Sequence, residues 1–210
     1  PTGAGVAWQE SFSLDRAGDN LFLAMETTTH PADLFHLKVG APADSRTRLT
    51  TVNPQVDTWK LPQIQVTSWT APDGTTVEGI LELPPDWKPG DKPLPTVLEL
   101  HGGPTSATPY NLQFWIYGRT TLAAKGYALL SPNYRGSTGR GVAFSKLSQS
   151  DPAGKEFDGC VDAVDHLIAT GLVDKSKVGI TGSSYGGYAT AWGATYYSDR
   201  FAAGVMFVGI

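Results

Sequence analysis

Apolar and polar residues alternate in short runs through the first part of the chain. Such runs occupy residues 12–14, 21–25 and 33–39, and a further short run begins at Arg48, with turn-forming residues between them. A period of two residues is typical of half-buried strands. Three or four antiparallel strands in about 45 residues match the size of one β-propeller blade. An isolated β-meander that caps the next domain is the alternative.

A different pattern begins near Leu61. Two alternating runs, 64–70 and 76–83, flank a Pro-Asp-Gly turn and predict a β-hairpin. Short apolar runs then alternate with segments of helical periodicity, which predicts a mostly parallel sheet with helices on both faces. The predicted strands are 96–100, 127–131, the run from 178 and 203–208, and the predicted helices are 111–125, 156–170 and 185–197.

The sequence Gly182-Ser183-Ser184-Tyr185-Gly186 lies where a predicted strand meets a predicted helix. A Gly-x-Ser-x-Gly pattern at such a junction is typical of a nucleophile elbow, in which the central serine occupies a sharp turn. Glycines are needed there because the turn brings the strand and helix backbones close together. Ser184 is therefore the candidate nucleophile of an acyl-transfer reaction, and a structural turn serine is the alternative.

A His-Gly-Gly sequence at 101–103 follows another predicted strand. Because the carboxyl ends of parallel strands meet at one edge of a sheet, we expect this loop to lie beside Ser184. Acyl transfer needs two backbone N–H donors aimed at the developing oxyanion. We assign these donors to Tyr185, which follows the serine, and to Gly103 in the loop.

Composition and charge exclude several classes of function. The net charge of −4 over 210 residues gives no basic surface for nucleic acids or anionic membranes. No apolar run approaches the roughly 20 residues that span a bilayer. The single cysteine, Cys160, excludes an internal disulfide framework and zinc sites built on several cysteines, and we expect it to be buried as a small apolar residue. We expect a soluble protein of the cytoplasm or the periplasm, and one cysteine does not decide between the two.

Three motifs occur in a fixed order: His101-Gly102-Gly103-Pro104, then Asn133-Tyr134-Arg135-Gly136-Ser137-Thr138-Gly139, then the elbow sequence 182–188. Together they resemble the prolyl oligopeptidase family of serine peptidases, above all its acylaminoacyl-peptidase and dipeptidyl-peptidase branches. The resemblance implies an α/β-hydrolase domain at 61–210, preceded at 1–60 by the remnant of the last β-propeller blade and a linker. It also implies hydrolysis of short peptides through an acyl-enzyme, without a metal or organic cofactor.

The resemblance further implies a catalytic aspartate and histidine that follow the serine along the chain. In the family they follow the seventh and eighth strands, whereas this sequence stops at Ile210, near the end of the predicted sixth strand. We therefore expect a chain truncated at both ends, with the two partners beyond Ile210 and the 210-residue piece inactive, since a serine without a base is a poor nucleophile. His101 is expected to support its loop, and His166 to be a partly exposed helix residue. The aspartates at 158, 162 and 165 are expected to be solvated or capping residues.

Arg135 is a further candidate for substrate binding. In its loop it could contact a substrate or pin the loop through hydrogen bonds and a carboxylate pair, and we favour the second role. Aromatic residues at 115, 117, 192, 196 and 197 could line a pocket, but aromatic residues on helices that flank a sheet usually belong to the core.

Two other functions stay open at this point. One is a carboxylesterase or lipase of the same fold, against which the predicted propeller blade argues. The other is a non-catalytic α/β domain that acts in binding or assembly. The expected partner is a short peptide, with neither nucleic acid nor membrane, and a homo-oligomer of the full-length protein is left open.

Overall fold

The strands of the described chain form two sheets. The computed structural model describes residues 8–114 and 119–209, and within these ranges the first sheet is a four-stranded antiparallel meander in the order β1-β2-β3-β4. Its strands are β1 (Trp8–Leu14), β2 (Asn20–Glu26), β3 (Asp33–Lys38) and β4 (Thr47–Arg48). Two short 3₁₀ helices follow β3 and β4, at Ala43–Ser45 and Pro54–Thr58.

The predicted strands of the amino-terminal segment are confirmed. The turn between β1 and β2 forms because the Asp15 carboxylate accepts hydrogen bonds from the backbone N–H groups of Asp19 and Asn20. Phe12, Leu14 and other apolar side chains of this sheet are exposed. A sheet that leaves apolar side chains on its surface is typical of a repeat that stacks on neighbours, and the assignment of residues 1–60 to a propeller blade stays a prediction.

The second sheet has six strands in the order β10-β9-β7-β8-β6-β5. Its strands are β5 (Gln63–Thr70), β6 (Thr76–Leu83), β7 (Leu94–Leu100), β8 (Ala128–Asn133), β9 (Val173–Ser184) and β10 (Ala203–Gly209). The last four in chain order run parallel to one another, whereas β6 pairs antiparallel with both β5 and β8. The predicted parallel sheet with an antiparallel hairpin at its edge is confirmed.

Within the described residues, four helices accompany this sheet: α1 (Arg119–Ala124), α2 (Val142–Ser145), α3 (Lys155–Ala169) and α4 (Tyr185–Tyr196). Leu98 and Leu100 of β7 pack in one core with α3 and α4, through side chains such as Phe157 and Ala189. Successive side chains of a strand point to opposite faces, so Glu99, which contacts α1, places that helix on the other face. The predicted helices on both faces are thus present. The short helix α2 was not predicted.

The prediction of a helix over 111–125 is wrong at its start, because Asn111–Phe114 are not helical. The N–H of Leu112 donates to the carbonyl of Thr27 (2.8 Å), and the buried Asn111 side chain donates to Glu26. These bonds hold the segment next to β2 in a non-helical conformation. Residues 115–118, which include Trp115 and Tyr117, lie outside the described residues.

Beneath α1 the sheet buries a cluster of charges. The Arg119 guanidinium lies 2.6 Å from Glu82 and 3.7 Å from Glu99, measured from Nη2 and Nε to the nearest carboxylate oxygens. The Ser131 hydroxyl donates to Glu99 (2.7 Å), and Arg119 donates to Gln113 (2.9 Å). Burial raises the pKa of the Glu82 carboxyl, although the nearby arginine lowers it. One cation thus serves two buried carboxylates.

The strand β10 lies at the edge of the sheet, and its apolar side chains are exposed. The four apolar side chains at 205–208 are between 45% and 67% exposed. A groove of about 670 Å³ beside them is lined by Val97, Leu122 and Ile180 among others. Among the described residues, no helix combines the length and the apolar character needed to cross a membrane.

We predict that Arg119→Leu destabilises the fold by about 3–5 kcal/mol, because it leaves Glu82 and Glu99 buried without a cation. The measurement is the free energy of unfolding in urea. Arg16 is exposed, so Arg16→Leu is the matched control and should change that free energy little. Equal losses in the two variants would contradict the role of the buried cluster.

Glu82 also predicts a pH dependence of stability. The native state raises the pKa of this carboxyl above its usual value of 4.5, so it binds the proton more tightly than the unfolded chain does. The resulting stabilisation is complete below the unfolded pKa and is lost as pH rises through the native pKa. Relative to Glu82→Gln, the wild type should therefore lose unfolding free energy as pH rises above the usual carboxyl value of 4.5. A difference that does not vary with pH would rule this out.

Candidate active site

Ser184 lies at the end of β9, directly before α4. Its backbone has φ 55° and ψ −122°, a left-handed conformation that L-residues other than glycine rarely adopt, and its side chain is exposed. The strained turn predicted from the Gly-x-Ser-x-Gly pattern is present at this residue. Such strain persists only where the surrounding structure holds it in place.

Close backbone contacts hold this turn. Leu100, at the end of β7, pairs with Gly182 of β9, so the two strands end side by side. A Cβ atom at Gly182 would lie 2.5 Å from the Leu100 carbonyl oxygen, and one at Gly186 would overlap the same oxygen. Only glycine at both positions lets the first turn of α4 approach β7 this closely.

The loop after β7 lies against the serine, as the parallel sheet requires. A Cβ atom at Gly102 would lie 3.2 Å from the Ser184 Cβ and 3.8 Å from its Oγ. Gly103 has φ 127°, and a Cβ there would lie 2.6 Å from the Thr105 nitrogen. The backbone of the loop at Gly102 therefore approaches the serine closely, with no side chain of its own between them.

The two predicted oxyanion donors lie in the glycine loop and at the start of α4. The Gly103 N–H donates no hydrogen bond to any of the described residues. Tyr185 is the first residue of α4, and the N–H groups of a first helical turn have no partner within the helix. A cavity of about 430 Å³ opens beside this loop and is lined by Gly102, Gly103 and Ser183, with Glu99 and Arg119 of the buried cluster also on its wall.

His101 supports the loop from behind. Its imidazole stacks on the Tyr134 ring, with centroids 4.2 Å apart and planes 14° apart. Its Nδ1 lies 2.8 Å from the Gly102 carbonyl and must donate to it, so Nε2 accepts from the Ser137 hydroxyl at 2.9 Å. Burial lowers the pKa of His101, which keeps the ring neutral. The expectation of structural support fits this geometry.

The other three histidines lie elsewhere. His30 contacts Asp57 (3.1 Å) and His36 contacts Asn20 (2.8 Å), both in the amino-terminal part of the chain, and His166 is exposed in the last turn of α3. No residue in the described ranges makes a hydrogen bond to the hydroxyl of Ser184. The structure thus brings the serine and the glycine loop together, but none of the four histidines lies in position to act as the base.

Arg135 is buried and joins two elements away from the glycine loop. Its guanidinium donates to Asp73 in the hairpin turn and to the Lys155 carbonyl at the start of α3, both at 2.7 Å. Hydrogen bonds from Thr75, with a smaller contribution from Arg135, lower the pKa of Asp73. Arg135 lines a separate cavity of about 340 Å³ together with Asp162. This geometry fits the pinning role that the sequence favoured.

The remaining aspartates and the cysteine have local partners or surroundings. Asp158 accepts a hydrogen bond from Tyr197, and Asp165 pairs with Arg200. Burial, with a smaller effect from neighbouring aspartates, raises the pKa of Asp162. Burial likewise raises the pKa of the Cys160 thiol, so the thiol stays protonated and behaves as the small apolar residue that was expected.

The aromatic residues of α4 form a continuous ladder along the helix. Ring contacts run from Tyr185 through Tyr188 and Trp192 to Tyr196, with centroids 5.2–6.4 Å apart. Trp192 packs against the core, as the core interpretation predicts, whereas Tyr196 is exposed. The ladder therefore begins in the core next to the serine and ends in solvent.

Comparison with known proteins agrees with this arrangement. Residues 113–210 match the model of the prolyl oligopeptidase family. Dipeptidyl aminopeptidase BIII of Pseudoxanthomonas mexicana is 37% identical over 186 residues, which cover 85% of this chain and 26% of that protein. The Pyrococcus horikoshii acylaminoacyl peptidase superimposes with a TM-score of 0.83 at 28% identity, over 98% of this chain and 32% of that one.

An acylaminoacyl peptidase solved in complex with Z-Gly-Gly-Phe-chloromethyl ketone also superimposes with a TM-score of 0.83, at 29% identity over 98% of this chain and 32% of that one. The α/β-hydrolase fold expected from the sequence is confirmed by these superpositions. The chain spans about a quarter to a third of the length of these relatives. On these findings, the chain belongs to the prolyl oligopeptidase family.

Proposed function

We propose that the full-length protein is a serine peptidase that hydrolyses short peptides through an acyl-enzyme on Ser184. The observation that carries the proposal is the left-handed backbone of Ser184 beside the glycine loop 101–103. That conformation supports the proposal because acyl transfer needs an accessible hydroxyl, for which the N–H groups of Gly103 and Tyr185 would be the oxyanion donors.

In this proposal the Ser184 oxygen attacks the carbonyl carbon of the scissile peptide bond. The carbonyl oxygen gains negative charge and accepts hydrogen bonds from the N–H groups of Gly103 and Tyr185. The amine leaves with a proton, and water then hydrolyses the ester on Ser184. The chemistry uses a hydroxyl, two amides and an acid–base pair, and it needs no metal or organic cofactor.

The acid–base pair would come from outside these 210 residues. None of the four histidines makes a hydrogen bond to Ser184, and His101 already uses one ring nitrogen on the Gly102 carbonyl and the other on the Ser137 hydroxyl. A histidine oriented by a carboxylate would take the proton from the serine and return it to the leaving amine. We infer that both groups belong to the part of the full-length protein that follows β10.

A peptide substrate is supported by the family and by the relatives. Their names include a dipeptidyl aminopeptidase and acylaminoacyl peptidases, one of them in complex with a peptidyl chloromethyl ketone. The amino-terminal sheet contacts the segment after the glycine loop through Leu112 and Thr27. If this sheet belongs to a propeller, it would stand over the site and restrict access to short peptides.

Ser184→Ala should abolish both peptide hydrolysis and labelling by a serine-directed phosphonate in the full-length protein. The neighbouring Ser183 is the matched control, because it occupies the variable position of the same motif and does not lie on the turn. Ser183→Ala should keep labelling, whereas kcat of Ser184→Ala should fall by on the order of 10⁶. Mass spectrometry of the labelled peptide locates the adduct, and an adduct that survives Ser184→Ala would refute the assignment.

Arg135→Met should lower stability and leave KM for a peptide unchanged, because the guanidinium pins the hairpin turn to α3. We expect a loss of about 1–3 kcal/mol of unfolding free energy, since a buried donor pair disappears. Arg140 is the control, because it is partly exposed and reaches the same hairpin through the Thr76 carbonyl. A rise of KM with unchanged stability would instead assign Arg135 to substrate binding.

A further inference from the structure

A buried carboxylate lies next to the residue that follows the candidate nucleophile. Glu156, in the first turn of α3, is 1% exposed, and its Oε1 accepts a hydrogen bond from the Tyr185 hydroxyl at 2.7 Å. The same oxygen accepts from the Ala153 N–H at 2.7 Å. Nothing in the sequence pattern singled out Glu156, because an acidic residue in the first turn of a helix is common.

The Tyr185 hydroxyl is the principal side-chain partner of this carboxylate. Within the described ranges no lysine, arginine or histidine forms an ion pair with Glu156, and its second oxygen, Oε2, has no hydrogen-bond partner there. Burial raises the pKa of Tyr185, and the bond to Glu156 raises it further, so the phenol stays protonated and remains the donor. A buried carboxylate with so few partners depends strongly on each of them.

The ring of Tyr185 is held on its sides as well as at its hydroxyl. It contacts Phe157 and Tyr188, with centroids 5.6 and 5.7 Å away, and lies 6.5 Å from Tyr134, which supports the glycine loop. The backbone N–H of Tyr185 is two covalent bonds from the carbon that bears this ring. Holding the ring therefore restrains the Cα of Tyr185, and through it the backbone that carries the N–H group on the strained turn.

We propose that Glu156 is a positioning residue, which holds the N–H of Tyr185 in the oxyanion site by binding the hydroxyl of the same residue. The inference rests on the proposed function. It adds that the geometry of the oxyanion site depends on a side chain from α3, an element that contributes no atom to the reaction. A misplaced donor loses much of its value, because the site must fit the transition state rather than the substrate.

A second tyrosine–carboxylate bond between the same two helices serves as a control. Tyr197, just after α4, donates to Asp158 of α3, one helical turn or less from Glu156. This bond ties α4 to α3 at the end away from Ser184, and Asp158 is exposed. Removing this bond therefore tests whether weaker attachment of α4 to α3 alone affects activity, because the contacts of Ser184 and Tyr185 are unchanged.

The experiment uses the full-length protein with Tyr185→Phe, Glu156→Gln and Tyr197→Phe. For each variant we measure kcat and KM for a peptide, the affinity for a peptide aldehyde that forms a tetrahedral adduct, and the urea midpoint. Tyr185→Phe should lower kcat and aldehyde affinity by about tenfold with KM unchanged, a part of the 10²–10³ lost when a donor is removed. Glu156→Gln keeps an acceptor oxygen but forms a weaker, uncharged hydrogen bond, so it should lower kcat and aldehyde affinity in the same direction but by less than Tyr185→Phe does.

Tyr197→Phe should leave kcat and aldehyde affinity unchanged. The double variant Glu156→Leu/Tyr185→Phe removes the buried charge together with its donor, so it should recover stability relative to Tyr185→Phe but not kcat. This variant keeps the test valid if Tyr185→Phe alone is too unstable to assay.

Three results would overturn the inference: unchanged kcat in Tyr185→Phe, an equal loss in Tyr197→Phe, or full recovery of kcat in the double variant. The serine assignment is tested separately by the phosphonate adduct. If the wild type is labelled at Ser184 and Tyr185→Phe leaves kcat unchanged, the positioning role alone is refuted. Absence of an adduct at Ser184 in the wild type would refute the proposed function itself.

Discussion

The contact between the first turn of α4 and the end of β7 is the constraint on which the site depends. Gly182 and Gly186 allow the helix to approach the Leu100 carbonyl so closely that no side chain fits between them. The left-handed backbone of Ser184 lies between these two glycines, and the serine lies next to Gly102. The strain is local, and the parallel pairing of β7 with β9 supplies the rigid frame that maintains it.

Around this contact, buried polar groups connect segments that are distant in the sequence. His101 joins the glycine loop to Tyr134 and Ser137 in the next loop of the same sheet edge. Arg135, in that second loop, reaches the hairpin turn and the start of α3. Such bonds add little net stability each but are costly to leave unmade, so they specify one arrangement of loops. The motifs are therefore parts of one hydrogen-bonded framework.

Much of the fold follows from local patterns. Period-two alternation located the strands of the first sheet and the β5–β6 hairpin, and short apolar runs located the other four strands of the second sheet. The apolar spacing of α3, with Gly171 beyond its end, located that helix. The error at Asn111–Phe114 has a tertiary cause, because bonds to Thr27 and Glu26 in the first sheet outweigh helical propensity. Glu82 and Glu99 lie within strands. No pattern in the sequence indicated that both carboxylates are buried beside the same arginine, Arg119.

The sequence by itself determined the candidate nucleophile, the glycine loop and the order of strands and helices that brings them to one edge. These features are readable because they depend on residue types at short spacing: glycine where backbones touch, and serine at the turn. Only the tertiary structure decided how the site is supported. Arg135 pins the hairpin turn to α3, His101 binds Ser137 in the next loop, and Glu156 binds Tyr185. Each of these roles depends on a contact between residues 20 or more positions apart.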